Sequence, residues 1–238
     1  MIEKCSSCLK IQDLCICQSL QPLNTQVHVL ILQHPQEPDQ DLGSARLAHL
    51  SLPNSTLKIG LSWPNLRAAL GKQNPVAEVA NVSHWAVLYL GSGLKRQQET
   101  TLRQHTGATS RKKTSPQKRE KLQFVSRQGT PVLSPAQVEG IVILDGTWSQ
   151  AKALWWRNAW LLKLKRAILQ PARPSLYEEL RKEPKKECLS TIESIAEALD
   201  ALGEPAPTAN ELRAVFSRLL DKQRERVSRS SRQGKPRP

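Results

Sequence analysis

The first residues with chemistry in them are cysteines. Cys5 and Cys8 form a C-x-x-C pair, and Cys15 with Cys17 forms a second, tighter pair. Four thiolates close the tetrahedral shell of a zinc ion at about 2.3 Å per bond and leave no position for a water, so the pattern predicts a structural zinc. Free or redox-active thiols are the alternative, because C-x-C is the less common of the two spacings. Cys188 stands alone and reads as a small buried residue. A second constellation runs G-I-V-I-L-D-G-T-W from Gly140 to Trp148. An apolar strand that breaks at Asp-Gly-Thr into a helix delivers the Asp145 carboxylate and free helix-start amides to the carboxyl edge of a sheet, where ligands bind in open α/β folds. The same spacing fits a plain helix cap by Asp145 or Thr147. His34, at a strand end before Pro35, is a further candidate, whereas His28 and His84 suit core or edge positions. Trp148 and Trp155 stand on one helical face with Ala151 and Ala159, and read as a core stripe; Trp156 and Trp160 face elsewhere.

These groups need elements to hold them. Strands are expected at residues 27–33, 57–61, 84–90, 140–144 and 165–169, each a short apolar or β-branched run closed by Gly or Pro. Helices are expected at 46–52, near 63–70 and from Thr147 to about residue 162. Ser190-Thr191-Ile192-Glu193 is a capping box opening a helix with an apolar stripe from Ile192 to Leu202 and a stop at Gly203, and Thr208 with Glu211 repeats the device for a last helix. Strands alternating with helices argue for an α/β fold with a mostly parallel sheet.

The chain has 238 residues, 39% hydrophobic and 24% charged, which suits one main core. Its net charge of +14 is concentrated in two segments: residues 92–131 carry ten Lys/Arg against Glu99 and Glu120, and 222–238 carry seven against Glu225. The rest is neutral. Two cationic arms on a neutral body favour a polyanionic partner. No run approaches the roughly 18 apolar residues of a membrane span, so a soluble protein without a membrane partner is expected. No basic start followed by an apolar block marks a secretory leader, and a cytoplasmic location follows as the expectation. There is no P-loop, no G-x-S-x-G elbow and no H-E-x-x-H motif, which weakens hydrolase readings.

Taken together, these motifs resemble the DTW domain proteins, tRNA-uridine aminocarboxypropyltransferases. The resemblance rests on Cys5-x-x-Cys8 with Cys15-Ile16-Cys17, on Leu32-Gln33-His34-Pro35 with Glu37, on Leu144-Asp145-Gly146-Thr147-Trp148-Ser149-Gln150-Ala151, and on Leu189-Ser190-Thr191-Ile192-Glu193. Arg46-Leu47 and Tyr89-Leu90-Gly91 match weaker family segments, the latter without the family's middle proline. The long basic stretch within 92–131 is a departure from many relatives. The resemblance implies transfer of the 3-amino-3-carboxypropyl group of S-adenosylmethionine to N3 of a tRNA uridine. It also implies a SPOUT-like α/β core with a deep C-terminal knot.

On that footing the chain divides into a zinc-binding module at 1–24, an α/β catalytic domain at 25–221 and a basic tail at 222–238. The 92–131 insertion is expected as a loop or a basic helix folded on RNA. Asp145 is the expected base for the uridine N3 proton. Tyr89, Leu90, Gly91, Leu144, Gly146, Thr147, Trp148, Ser190, Thr191, Ile192 and Glu193 are expected to form the donor pocket, with the helix-start amides after Ser190 facing the donor's carboxylate. The expected partner is tRNA and the expected state a monomer. Two other readings remain: a non-catalytic zinc-bearing RNA-binding or ribosome-assembly protein, and a SPOUT-like RNA methyltransferase.

Overall fold

The computed structural model of the chain describes residues 3–89, 122–125, 134–171, 173–177 and 189–233. Six strands form: β1 (His28–Gln33), β2 (Ser55–Ile59), β3 (Trp85–Tyr89), β4 (Leu122–Val125), β5 (Gly140–Asp145) and β6 (Lys165–Leu169). They make one sheet in the order β2-β1-β5-β3-β6-β4, parallel throughout except for β4, which pairs antiparallel with β6 at one edge. The helices are α1 (Ala45–Ser51), α2 (Leu66–Leu70), α3 (Val76–Val79), α4 (Trp148–Arg157), α5 (Thr191–Ala201) and α6 (Ala206–Gln233).

Every residue of β1 is buried because the sheet is covered on both sides, and alternate side chains serve opposite layers. Val29, Ile31, Ile141 and Ile143 pack with Ile192, Ile195, Leu199, Leu212 and Phe216 of α5 and α6. Leu30, Leu32, Val142 and Trp85 pack on the other face with Leu66, Leu70, Trp160 and Leu161. Cys8, Leu14 and Ile16 of the cysteine-bearing segment belong to the first of these cores. Glu204, in the turn between α5 and α6, accepts the amides of Gln26 at 2.8 Å and Val27 at 2.7 Å, tying that turn to the start of β1.

The mostly parallel α/β sheet was expected from the sequence pattern, with four strands within a residue of their expected bounds and β2 two residues earlier than 57–61. β4 falls inside the segment expected as loop or basic helix; its four residues are too short a signal against the flanking lysines, and only pairing with β6 makes them a strand. The last helix starts at Ala206, two residues before the expected Thr208 cap, and continues through the first part of the basic tail to Gln233. Propagation from a helix already anchored by Val215, Phe216 and Leu219 is easy for Arg, Lys and Gln, so those residues extend it. Arg226 on this extension pairs with Asp41 at 2.8 Å. Among the described residues no helix is long and apolar enough to cross a membrane.

Gly140 opens β5 opposite both His28 and Trp85. A Cβ there would sit 2.5 Å from the fully buried Trp85 indole, so glycine is the residue that lets this ring lie against the strand. Gly140→Ala should therefore lower stability by about 1–3 kcal/mol through overpacking, read as a lower urea midpoint with unchanged slope.

Candidate active site and metal centre

Parallel register sets Gln33, the last residue of β1, beside Asp145, the last of β5. Asp145 is 6% exposed. Its Oδ2 accepts a hydrogen bond from Gln33 Nε2 at 2.8 Å, and its Oδ1 accepts one from the Thr191 hydroxyl at the start of α5. A buried carboxylate without donors is heavily penalised, so these bonds hold three elements together at one point. Gln33 Oε1 is buried with no partner among the described residues, an orphaned acceptor next to the acid.

The helix cap after β5 is made by Thr147, which relieves Asp145 of that role. Thr147 Oγ1 accepts the Gln150 amide at 3.4 Å while Gln150 Oε1 accepts the Thr147 amide at 2.6 Å. The turn needs Gly146, whose φ of +154° is unfavourable for a side chain and whose Cβ would meet Gln150 Cβ at 2.9 Å. His34 donates its amide to the Asp145 carbonyl at 3.0 Å, and its ring nitrogen Nδ1 accepts the Gln36 amide at 3.3 Å.

At the start of α5 the Ile192 amide donates to Ser44 Oγ at 3.1 Å and the Glu193 amide to Ser190 Oγ at 3.3 Å, so these two of the expected helix-start donors already have protein acceptors. Ile192 is fully buried in the core. Glu193, also fully buried, accepts the amides of Ser190 at 2.9 Å and Leu176 at 2.8 Å and lies 3.6 Å from Arg213. Sequence reasoning saw its capping box with Ser190 but not the loop it holds, because Leu176 and Arg213 are distant in sequence.

A cleft of about 70 Å³ opens beside the acid, lined by Leu88, Ile143, Leu144, Gly146, Leu189, Thr191 and Ser194. Of the expected pocket residues it gathers Leu144, Gly146 and Thr191. Tyr89 ends β3 nearby, whereas Leu90 and Gly91 lie outside the described residues. Bounded by the described residues alone, this volume holds a few waters. Trp148 is 50% exposed, which overturns the core-stripe reading for it; Trp156 is 70% exposed, and Trp160 is buried. On this helix Leu154 is fully buried instead, and the partly covered Trp155 packs against the core on that face of the sheet.

The four cysteines converge. The sulfurs of Cys5, Cys8, Cys15 and Cys17 all lie within 4.8 Å of one another, and the Cys5–Cys17 separation is 3.8 Å. Tetrahedral bonds of about 2.3 Å put neighbouring sulfurs about 3.8 Å apart, so the cluster has the dimensions of a metal site. Leu9 turns the loop with a φ of +61°, and the Cys5 carbonyl accepts the Leu9 amide at 2.9 Å. Backbone amides of Cys8 and Ser7 pull the Cys5 thiol down to about 6, while burial pushes Cys8 and Cys17 up. Four sulfurs this close ionise together only around a cation. Arg46 of α1 donates to the Ser7 carbonyl at 2.8 Å, fastening the loop to the domain. Lys10, which the sequence did not single out, is buried, and its Nζ donates to the Gln40 carbonyl. Burial brings its pKa down to about 8, against the opposing pull of Asp41, Cys8, Asp145 and Glu37.

The sequence profile of the DTW domain matches residues 2–224. The chain belongs to the DTW domain family. It is similar to tRNA-uridine aminocarboxypropyltransferase 2 of Macaca fascicularis, with 28% identity over 201 residues, 84% of this chain and 56% of that protein. The protein of the same name from Mus musculus is 29% identical over 203 residues, again 84% of this chain and 56% of the relative. The one from Drosophila melanogaster is 29% identical over 225 residues, 92% and 72% of the two chains. The DTW chain thus spans just over half the length of the two mammalian relatives. No solved structure matches it.

Glu193→Ala should remove about 3–5 kcal/mol, because it takes the acceptor from the Ser190 and Leu176 amides and the Ser175 hydroxyl at once and leaves Arg213 with Glu197 alone of its two carboxylates. Chemical denaturation would show this as a lower midpoint; an unchanged midpoint would contradict the clamping role of Glu193.

Proposed function

We propose that this DTW domain transfers the 3-amino-3-carboxypropyl group of S-adenosylmethionine to N3 of a uridine in tRNA and releases methylthioadenosine. The observation that carries the reading is a buried carboxylate, Asp145, at the carboxyl end of β5 and flanked in sequence by the cleft residues Leu144 and Gly146. Family membership and the names of the relatives supply the reaction class. In the reaction the uridine nitrogen attacks the methionine-side carbon of the sulfonium. The N3–C bond forms, the C–S bond breaks with its electron pair going to sulfur, and the N3 proton passes to Asp145 and then to solvent. Three carbons on sulfur are electrophilic, and in-line placement of one of them selects the product. A carboxylate within about 2.6–3.2 Å of N3 assists removal of the proton.

Within this proposal Tyr89, Leu144, Gly146, Thr147 and Thr191 border the donor, while Ser190, Ile192 and Glu193 hold its wall in place. The orphaned Gln33 Oε1 beside the acid suits a ligand that brings hydrogen-bond donors, as the donor's ammonium does. The core is read as SPOUT-like and knotted, as the family resemblance implies; the start of α5 meets Asp145 and Ser44. The cysteine cluster is read as a structural zinc site on its dimensions. It would hold the ion through Cys5, Cys8, Cys15 and Cys17, and the ion would contribute folding energy rather than chemistry. Basic residues at 92–131 and along α6 are read as tRNA phosphate contacts. A metal-binding set of thiols suits the reducing cytoplasm, and a cleft built from one chain's own elements suits a monomer.

A second reading draws on the same geometry. With Gln33 and Thr191 both bonded to it, Asp145 also fits a purely structural tie in a non-catalytic RNA-binding protein. Incubation of the full chain with tRNA and S-adenosylmethionine separates the two. The proposal expects methylthioadenosine and a uridine heavier by the aminocarboxypropyl group. Binding without release would leave the second reading, and a methylated base would point to methyl transfer.

Asp145→Asn should keep the fold and lower the transfer rate about 10²–10⁴-fold, since an amide cannot take the proton; a fully active variant would remove the assignment. Replacing Cys5 and Cys8 by serine should abolish bound zinc, measured by atomic emission, and lower the melting temperature.

A further inference from the structure

We infer that the exposed face of α4, made by Trp148, Lys152 and Trp156, is a stacking platform for single-stranded nucleotides that flank the reacting uridine. The inference rests on the RNA reading above and assigns this face its part in it. Folding leaves two indoles in water here, 50% and 70% exposed, on a helix whose Leu154 is fully buried and whose Trp155 packs against the core. Trp155, on the same helix, has Arg166 over its ring at 5.7 Å and packs on the core, so the outward-facing pair is not needed to dock α4. Among the described residues the other well-exposed large apolar side chains, such as Val79 and Ile59, are aliphatic and sit on other elements.

The three residues recur at i, i+4 and i+8, which places them along one side of the helix. At about 1.5 Å per residue the outer two lie about 12 Å apart, the length of roughly three to four stacked nucleotides at 3.4 Å per step. Lys152 stands between the rings and Arg157 follows them, both exposed, and α4 carries no acidic residue. Aromatic faces with cations between them match the two parts of a nucleic-acid strand, the bases and the phosphates. A duplex stem hides its base faces, so the strand must be unpaired, as in a loop or bulge. Position argues the same way: the platform begins at Trp148, three residues beyond Asp145, where Gly146 leaves the cleft wall. A base held on Trp148 would set its neighbour at the cleft mouth.

The test is binding of a labelled oligouridylate to the full chain by fluorescence anisotropy, with Trp148→Ala, Trp156→Ala and Lys152→Ala variants. Each tryptophan change should weaken binding on the order of tenfold, because a stacked base is lost. Trp→Phe at either position should restore most of that loss. Lys152→Ala should reduce the slope of log affinity against log salt by about 0.7, the value for one released single-strand phosphate contact. The melting temperature of the tryptophan variants should stay at the wild-type value, since neither ring is buried. If wild type binds and the double tryptophan variant binds equally well, the platform is wrong while the RNA reading survives. Failure of wild type to bind any RNA would overturn both. Loss of a dimer in the variants, seen by sedimentation with RNA affinity intact, would assign the face to a second copy of the chain and overturn the inference.

Discussion

A carboxylate kept from water has to be matched by donors, and in this chain that requirement ties the sheet to its helices at one point. Asp145 receives Gln33 from β1 and Thr191 from α5, so the ends of two adjacent strands and the start of a helix share one acid. Each such bond to a charged group contributes about 1.5–3 kcal/mol. The position that the proposed chemistry needs is thus also a structural joint. Its surroundings follow from it: Thr147 takes over the capping of α4, and Gly146 makes the turn between them.

Buried acids recur as clamps. Glu193 gathers the Leu176 and Ser190 amides and sits beside Arg213, and Glu204 binds the backbone ahead of β1. Both lie in the α5–α6 region, whose apolar faces already form the larger core. Hydrophobic burial supplies most of the attachment, while the carboxylates set where the intervening loops run. This division fits an active-site wall, which must be placed to within fractions of an ångström rather than merely covered.

The cysteine loop is joined to the same framework. Cys8, Leu14 and Ile16 share the core under α6, Arg46 holds the Ser7 carbonyl, and Lys10 reaches Gln40 beyond β1. A metal bound by these thiols therefore stabilises more than its own loop, because its ligands are packed into the core that α5 and α6 share. The cationic extension of α6 returns to the same quarter through the Arg226–Asp41 pair.

The α/β class, most strand positions, the capping box at Ser190 and the four-cysteine set were legible in the sequence, because each depends on neighbours within a few residues or on a period of two or 3.6. Asp145 was legible as a candidate for the same reason. What it bonds was not: Gln33 is over a hundred positions away, and only strand register brings it alongside. The turn of Glu193 inward, the loss of the α5 amides to Ser44 and Ser190, the strand at Leu122–Val125 and the exposure of Trp148 all depend on which surfaces meet. Local pattern determines which segments become strands and helices and where they stop. The partners of a buried polar group, and whether a tryptophan faces the core or water, are decided by packing between segments far apart in the chain, and only the tertiary structure contains that.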